Sequence, residues 1–211
     1  TDIVENYPGF IKLTGMELAE KLKEHALSYP SVVIKEEKVE LIEKKGNLFE
    51  ISNSKAKYLA KTIIFSTGTE IKKLNVPGEK EFDGRGVAYC ATCDAPRFKD
   101  KKVIVVGGGN AGLESALDLL QYASEVNIFK LRDTLKGDEI TLEKVQSNPK
   151  TKILTGVQLT EITGDTLVRG VKYKILKTGE EKTMDVDGVF IEIGWIPNSD
   201  LASGLVEINE K

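Results

Sequence analysis

The sequence predicts an α/β fold organised around a parallel sheet, and three observations carry that expectation. An apolar strand, Val103-Ile104-Val105-Val106, runs directly into Gly107-Gly108-Gly109-Asn110-Ala111-Gly112. A helical face follows, with Leu113, Ala116, Leu117 and Leu120 at helix spacing. A second apolar strand then arrives at Glu125 to Phe129. Strand, glycine turn, helix and strand in this order make a βαβ start, because parallel neighbours need a crossover of that length.

The glycine spacing has a chemical reading. In Gly107-x-Gly109-x-x-Gly112 the first glycine permits the tight turn. The second lets backbone N–H groups approach a pyrophosphate, and the third lets the helix pack closely on its strand. Phosphates then sit at the positive end of the helix dipole. Gly107, Gly109, Asn110, Ala111 and Gly112 are therefore candidate dinucleotide contacts, and a ligand-free glycine turn is the competing reading. Which dinucleotide is read at the end of the second strand. An acid there accepts from a ribose 2′-OH, whereas cations hold a 2′-phosphate. The sequence offers Phe129-Lys130-Leu131-Arg132-Asp133-Thr134-Leu135-Lys136. Lys130, Arg132 and Lys136 point to NADPH, with a solvated basic loop as the alternative.

Elsewhere the pattern is legible in pieces. Thr14-Gly15-Met16-Glu17 is a capping box, followed by Leu18, Leu22, Ala26 and Leu27 at helical spacing and stopped by Pro30. His25 lies within this helix as a surface or packing residue. Val32-Val33-Ile34, Val39 with Leu41, Leu48-Phe49 with Ile51, and Thr62-Ile63-Ile64-Phe65 read as short strands. Lys45-Gly46-Asn47 is a hairpin turn, and Ser66-Thr67-Gly68-Thr69 a small-residue turn. Val76-Pro77-Gly78 and Asp83-Gly84-Arg85-Gly86 mark a boundary or hinge. A polar helix is expected from Asp138 to Ser147 and a strand at Lys152-Ile153-Leu154. Two or three more strands follow, the last of them buried at Val189 to Gly194 and broken by Trp195-Ile196-Pro197-Asn198.

Composition narrows the function. The 211 residues carry 30 Lys+Arg and 33 Asp+Glu, a formal net charge of -3. That balance gives no general attraction for nucleic acid or for an anionic membrane surface. The 40% apolar and 30% charged fractions are those of a soluble globular chain. No apolar run approaches the ~20 residues of a membrane span. Thr1-Asp2-Ile3-Val4-Glu5 has neither a basic nor an apolar leader region, so no signal peptide is expected, and the absent initiator Met suggests a processed or excised chain. The only cysteines are Cys90 and Cys93, in one C-x-x-C. A disulfide framework is excluded by that count, and no metal site is expected with a single histidine and no second Cys pair. Redox chemistry in a cytoplasmic setting remains. Asp94 follows Cys93 directly, where a carboxyl can exchange a proton with a thiolate or serve merely as a cap.

Gly86-Val87-Ala88-Tyr89-Cys90-Ala91-Thr92-Cys93-Asp94 with Gly107 to Glu114 resembles the low-molecular-weight thioredoxin reductase family of flavoproteins. Val4 to Phe10, Ser66-Thr67-Gly68, Val76-Pro77-Gly78-Glu79 and Ile193 to Asn198 match further family segments in order. The resemblance implies a Rossmann-like nicotinamide-binding domain inserted in an FAD-binding Rossmann-like domain, which is truncated here. Residues 1–76 and 188–211 are then parts of the FAD domain, and residues 77–187 the nicotinamide domain with the dithiol. Electrons would pass from NADPH to FAD, to the Cys90/Cys93 pair, and on to a thioredoxin-like protein disulfide. By resemblance Cys93 faces the flavin, Cys90 attacks the partner, and Asp94 is the acid–base residue. Asn6, Thr67, Gly68 and Gly194 match FAD-contact segments, and the full-length form would be a homodimer.

Three departures qualify these expectations. Family members open with their own glycine motif for the FAD pyrophosphate, and this sequence has only the one at Gly107. They close with a Gly-Asp segment that is absent before Lys211, so a core fragment without FAD-dependent turnover is expected. In the NADPH loop, Leu131 replaces the first of two arginines and Lys130 a histidine, which opens NADH as donor. The alternatives are an NADH-linked peroxiredoxin-reducing flavoprotein and a non-catalytic nucleotide-binding fragment.

Overall fold

A computed structural model describes residues 3–209. The chain divides into two compact units, Thr1–Ser66 with Ser199–Lys211, and Thr67–Asn198.

The first unit holds helix α1 (Gly15–Leu27) and an antiparallel meander of β1 (Leu41–Lys45), β2 (Leu48–Ser52) and β3 (Lys57–Ala60). The capping box forms as expected. Thr14 Oγ1 accepts from the Glu17 amide at 3.2 Å, and Glu17 Oε2 accepts from the Thr14 amide at 2.7 Å. His25 is exposed, its ring 5.9 Å from that of Tyr29. Lys45 pairs with Leu48 across the expected turn, where Gly46 takes a positive φ of 62°. Two expected strands are not formed. Val32-Val33-Ile34 and Thr62-Ile63-Ile64-Phe65 are irregular, and Ile64 is 90% exposed. A strand needs a neighbour for its ladder hydrogen bonds, and these two runs have none among the described residues.

The second unit is a three-layer assembly. Its strands are β4 (Thr69–Ile71), β5 (Val87–Ala88), β6 (Lys102–Val106), β7 (Glu125–Lys130), β8 (Thr151–Thr155), β9 (Val157–Gly164), β10 (Val168–Ile175), β11 (Glu181–Asp185), β12 (Gly188–Ile191) and β13 (Trp195–Pro197). Its helices are α2 (Ala91–Asp94), α3 (Asn110–Leu120) and α4 (Glu139–Ser147). The central sheet has the order β5-β12-β6-β7-β8, and every neighbouring pair in it is parallel. Antiparallel β9, β10 and β11 cover one face and α3 and α4 the other. The segment read as breaking the last strand is itself extended: β13 pairs with β4 as a separate ribbon. This unit reaches beyond 77–187 at both ends, because β12 lies in the middle of the sheet and β4 needs β13.

Strand alternation explains the two-sided core. Val103 and Val105 face the helices with Val126, Ile128 and Phe190, while Ile104 and Val106 face β9, β10 and β11 with Phe129, Val189 and Ile191. Parallel strands buried on both faces read as continuous apolar runs rather than alternating ones, which is the pattern of 103–106. Phe190 is fully buried and meets Phe98 edge-on at 5.0 Å between centroids. Phe190→Ala is expected to lower stability by about 3–5 kcal/mol, through lost burial and the cavity left behind. Ile140→Ala, at a site 64% exposed, is expected to change it by no more than about 0.5 kcal/mol. Urea unfolding followed by circular dichroism checks both.

Candidate functional site

The carboxyl ends of the parallel strands form one edge, and the candidate residues emerge there. A cleft of about 660 Å³ opens along it, lined by Gly107 to Ala111, by Lys130, Leu131 and Arg132 at the end of β7, and by Glu192, Ile193 and Gly194 beyond β12. Lys72 and Lys73 add two cations to its wall.

The three glycines are required for different reasons. Gly107 has a φ of 139°, and a Cβ there would collide with the Glu192 carbonyl. A Cβ on Gly112 would collide with the Gly107 carbonyl, so α3 packs directly on the turn. Gly109 is the exception. It is the N-cap of α3 in extended backbone, φ −102° and ψ −173°. The nearest atom to a Cβ there is the Lys136 carbonyl oxygen, at an ordinary 3.7 Å. Neither packing nor backbone demands glycine at 109. A pyrophosphate approaching the helix N-terminus would. This open cradle fits the dinucleotide that the spacing suggests.

The loop after β7 closes over the turn. The Lys136 amide donates to the Gly108 carbonyl at 2.8 Å, Leu135 covers Gly108, and Asn110 Oδ1 accepts from the Asp138 amide at 2.8 Å. Lys130 and Arg132 line the cleft, whereas Lys136 contributes its backbone and its exposed side chain is not among the lining groups.

Cys90 and Cys93 are joined in a disulfide, with Cα atoms 5.4 Å apart. Cys90 lies two residues past the carboxyl end of β5 and serves as N-cap of α2, its sulfur accepting from the Cys93 amide at 3.3 Å. Because β5 runs parallel with β12 and β6, the dithiol segment and the glycine turn leave the same edge of one sheet. Thr92 then ties α2 to α3, its hydroxyl donating to Asp118 Oδ2 at 2.9 Å. Asp94 is paired with Arg97 at 3.0 Å.

The residues matched to flavin contacts are divided between the two units. Asn6 is exposed in the first unit. In the second, Thr67 Oγ1 donates to the Asn198 carbonyl at 2.6 Å, and Asn198 Nδ2 donates to the Thr67 carbonyl at 3.0 Å. Gly68 and Gly194, at positive φ of 69° and 103°, have open space where a Cβ would be. These residues hold the β4–β13 ribbon together. None of Thr67, Gly68 and Gly194 lies at a helix N-terminus, so these three by themselves do not fit a flavin diphosphate.

Two acids make contacts that no local pattern in the sequence announces. Glu79 is buried and accepts from the amides of Leu74 and Asn75, at 3.0 and 2.6 Å, and from the Tyr89 hydroxyl at 3.1 Å. It staples the segment entering this unit to the residue before Cys90. Burial, reinforced by the Glu79 carboxylate, raises the Tyr89 phenol above its ordinary range, and Lys73 lies 3.4 Å over the Tyr89 ring. Glu192 is the other. Its Oε1 accepts from Ser115 Oγ at 2.7 Å, and burial holds the carboxyl above the usual range, with the Ser115 hydrogen bond acting against that. The signal for it was a lone charge at the end of an apolar strand.

Comparison with known proteins identifies relatives of this chain. The family model for pyridine nucleotide-disulphide oxidoreductases matches residues 3–211. A Bacillus subtilis NADH dehydrogenase is 40% identical over 98% of this chain and 40% of its own length. A component of the alkyl hydroperoxide reductase of Staphylococcus epidermidis is 36% identical over 99% of this chain and 41% of its own. A Mycolicibacterium smegmatis thioredoxin reductase is 37% identical over 100% and 68%. The crystal structure of Lactococcus lactis thioredoxin reductase superposes with a TM-score of 0.72 at 35% identity, covering 97% of this chain and 68% of that one. The chain thus spans about two fifths of the length of the first two of these relatives. With a glycine cradle, a dithiol and a family match over almost every residue, the chain belongs to the pyridine nucleotide-disulphide oxidoreductase family.

Proposed function

We propose that this chain supplies the nicotinamide-binding and dithiol parts of a thioredoxin reductase-like flavoprotein, which reduces a thioredoxin-like protein disulfide with NADPH. The observation that supports this reading is the position of the Cys90–Cys93 disulfide and the glycine turn on the same edge of one parallel sheet. The dinucleotide-binding part is 77–187 extended to take in β12 and the cleft residues on either side of that range, and the rest of the chain goes with the flavin domain. A cytoplasmic homodimer completes the proposal, in keeping with a catalytic dithiol in a reducing compartment. No helix among the described residues is long and apolar enough to cross a membrane.

In this reading the chain's own residues do three things. The N–H groups at the start of α3 hold the dinucleotide pyrophosphate, and Lys130 and Arg132 hold a 2′-phosphate. Once the pair is reduced, the Cys90 thiolate attacks the partner disulfide and forms a mixed disulfide, expelling one partner thiolate. Cys93 then attacks Cys90, re-forming the internal disulfide and releasing the second partner thiolate. Asp94 exchanges the accompanying proton, with Arg97 fixing its orientation. A bound flavin would supply the reducing electron pair.

A second reading, an NADH-linked reductase for peroxiredoxins, is favoured by Leu131 in the cation loop and by the alkyl hydroperoxide reductase relative.

Gly109→Val is expected to cost about 1 kcal/mol of stability, as a poorer N-cap than glycine, and to weaken NADPH binding by about tenfold or more, read by nicotinamide fluorescence. Equal binding before and after would remove the pyrophosphate from this turn. Replacing Lys130 and Arg132 together by Ala should weaken NADPH about tenfold to a hundredfold, the worth of a charge-assisted contact, and should spare NADH. Equal loss of both dinucleotides would promote the peroxiredoxin reading. Titration with a thiol reagent should find no free thiol before dithiothreitol and two after it, from the chain's two cysteines. Free thiols in the oxidised chain would count against a redox pair.

A further inference from the structure

The sheet order places a crevice between β6 and β12. From β6 the chain proceeds outward to β7 and β8, and returns on the opposite side of β6 through β12. In open α/β sheets a dinucleotide lies across the point where the order reverses, with one half toward each side. The cations Lys130 and Arg132 stand at the end of β7, the side of the adenine ribose. The other side is the end of β12, and Glu192 stands there.

Glu192 is the single acid among the residues lining the cleft, which include four cations, Lys72, Lys73, Lys130 and Arg132. Among the described residues it forms no ion pair. Strand alternation turns it toward α3, opposite in sense to Ile191 and Ile193, which face β9, β10 and β11. Its backbone carbonyl is the atom that bars a side chain at Gly107, so its position relative to the glycine turn is fixed. Ser115, on the second turn of α3, anchors one oxygen, Oε1. The other carboxyl oxygen receives no hydrogen bond from the described residues. A partly buried carboxyl with one donor, fixed at the rim of a ligand cleft, is an acceptor short of donors.

The ligand chemistry that matches is a vicinal diol. A carboxylate accepts from the two hydroxyls of a ribose, the same contact that an acid at the end of β7 makes in NAD-binding folds. Here that acid is absent from the β7 end, where Lys130 stands. We propose that Glu192 binds the nicotinamide ribose of the dinucleotide through its hydroxyls, with Ser115 setting the carboxyl's orientation. Glu192 then reads the half of the ligand that carries the reducing centre. This rests on the dinucleotide reading above and adds to it a specificity-determining residue on the nicotinamide side.

The test compares three probes on the full chain: NADPH; 2′-phospho-ADP-ribose, which lacks the nicotinamide ring; and 2′-phospho-ADP, which also lacks that ribose. Dissociation constants are read by calorimetry for the parent, Glu192→Gln and Ser115→Ala, with a melting curve for each. Glu192→Gln should weaken NADPH and 2′-phospho-ADP-ribose by about tenfold, one charge-assisted contact, and leave 2′-phospho-ADP unchanged. Ser115→Ala, which keeps the carboxyl and frees it, should give a smaller loss with the same selectivity, and it carries the test if Glu192→Gln melts early. Equal affinities for parent and variants would overturn the proposal. So would equal loss for all three probes, which marks a structural role, and loss for NADPH alone, which moves the contact to the ring. If none of the probes binds the parent, the NADPH reading itself falls, and this proposal with it.

Discussion

The ends of β6 and β12 meet with no room for a side chain between them. Gly107 sits against the Glu192 carbonyl, and Gly112 against the Gly107 carbonyl. That close approach ties the first turn of α3 to two adjacent parallel strands at once. The start of the helix, with its unpaired amide groups, is therefore held at the carboxyl edge of the sheet and cannot slide along it. Everything chemical in this chain is arranged around that point. The cations at the end of β7, the carboxyl beyond β12 and the dithiol beyond β5 are each one short step from a strand whose register is fixed to β6.

What keeps that edge rigid is burial on both faces of the sheet. Apolar side chains from alternate positions of β6, β7 and β12 fill one core against α3 and α4 and a second against β9, β10 and β11. Sliding any of these strands by one residue would exchange the two sets, and neither core would accommodate the other's shapes. The first unit has no such constraint. Helix α1 buries none of its residues, and Ile64, Val33 and Met16 are largely exposed. Its hydrophobic pattern was therefore a weak guide to strands, and two of the runs that read as strands there have no partner among the described residues.

The site divides in the same way. Gly107, Gly109, Gly112, Cys90, Cys93 and Asp94 were legible because each belongs to a short motif whose spacing is itself the chemistry. Lys130 and Arg132 were legible because they follow a strand that the βαβ pattern locates. Glu79 and Glu192 were not, since each matters through contacts far along the chain. Glu192 meets Ser115 from 77 residues away. Glu79 joins backbone amides four and five residues before it to a phenol ten residues after it. Lys72 and Lys73 are ordinary surface lysines in sequence and cleft-wall cations only when β9 and the β12 end are brought beside them.

By itself the sequence determined the α/β class, the parallel βαβ start, the glycine cradle, the dithiol and the family resemblance. All of these are local: a strand's apolar run, a helix's period and a turn's glycines are set by neighbours within a few residues. Only the tertiary structure decided the strand order, and with it which strand ends share an edge. It placed β12 between β5 and β6, carried the compact unit to Asn198, and made a ribbon of β4 and β13 where a break was expected. It also distinguished Gly109 from its neighbours, the one glycine of the three whose backbone and surroundings would admit a side chain. The physical reason is that pairing between strands and room for a Cβ depend on residues distant in the chain, and no local pattern encodes which distant residue will arrive.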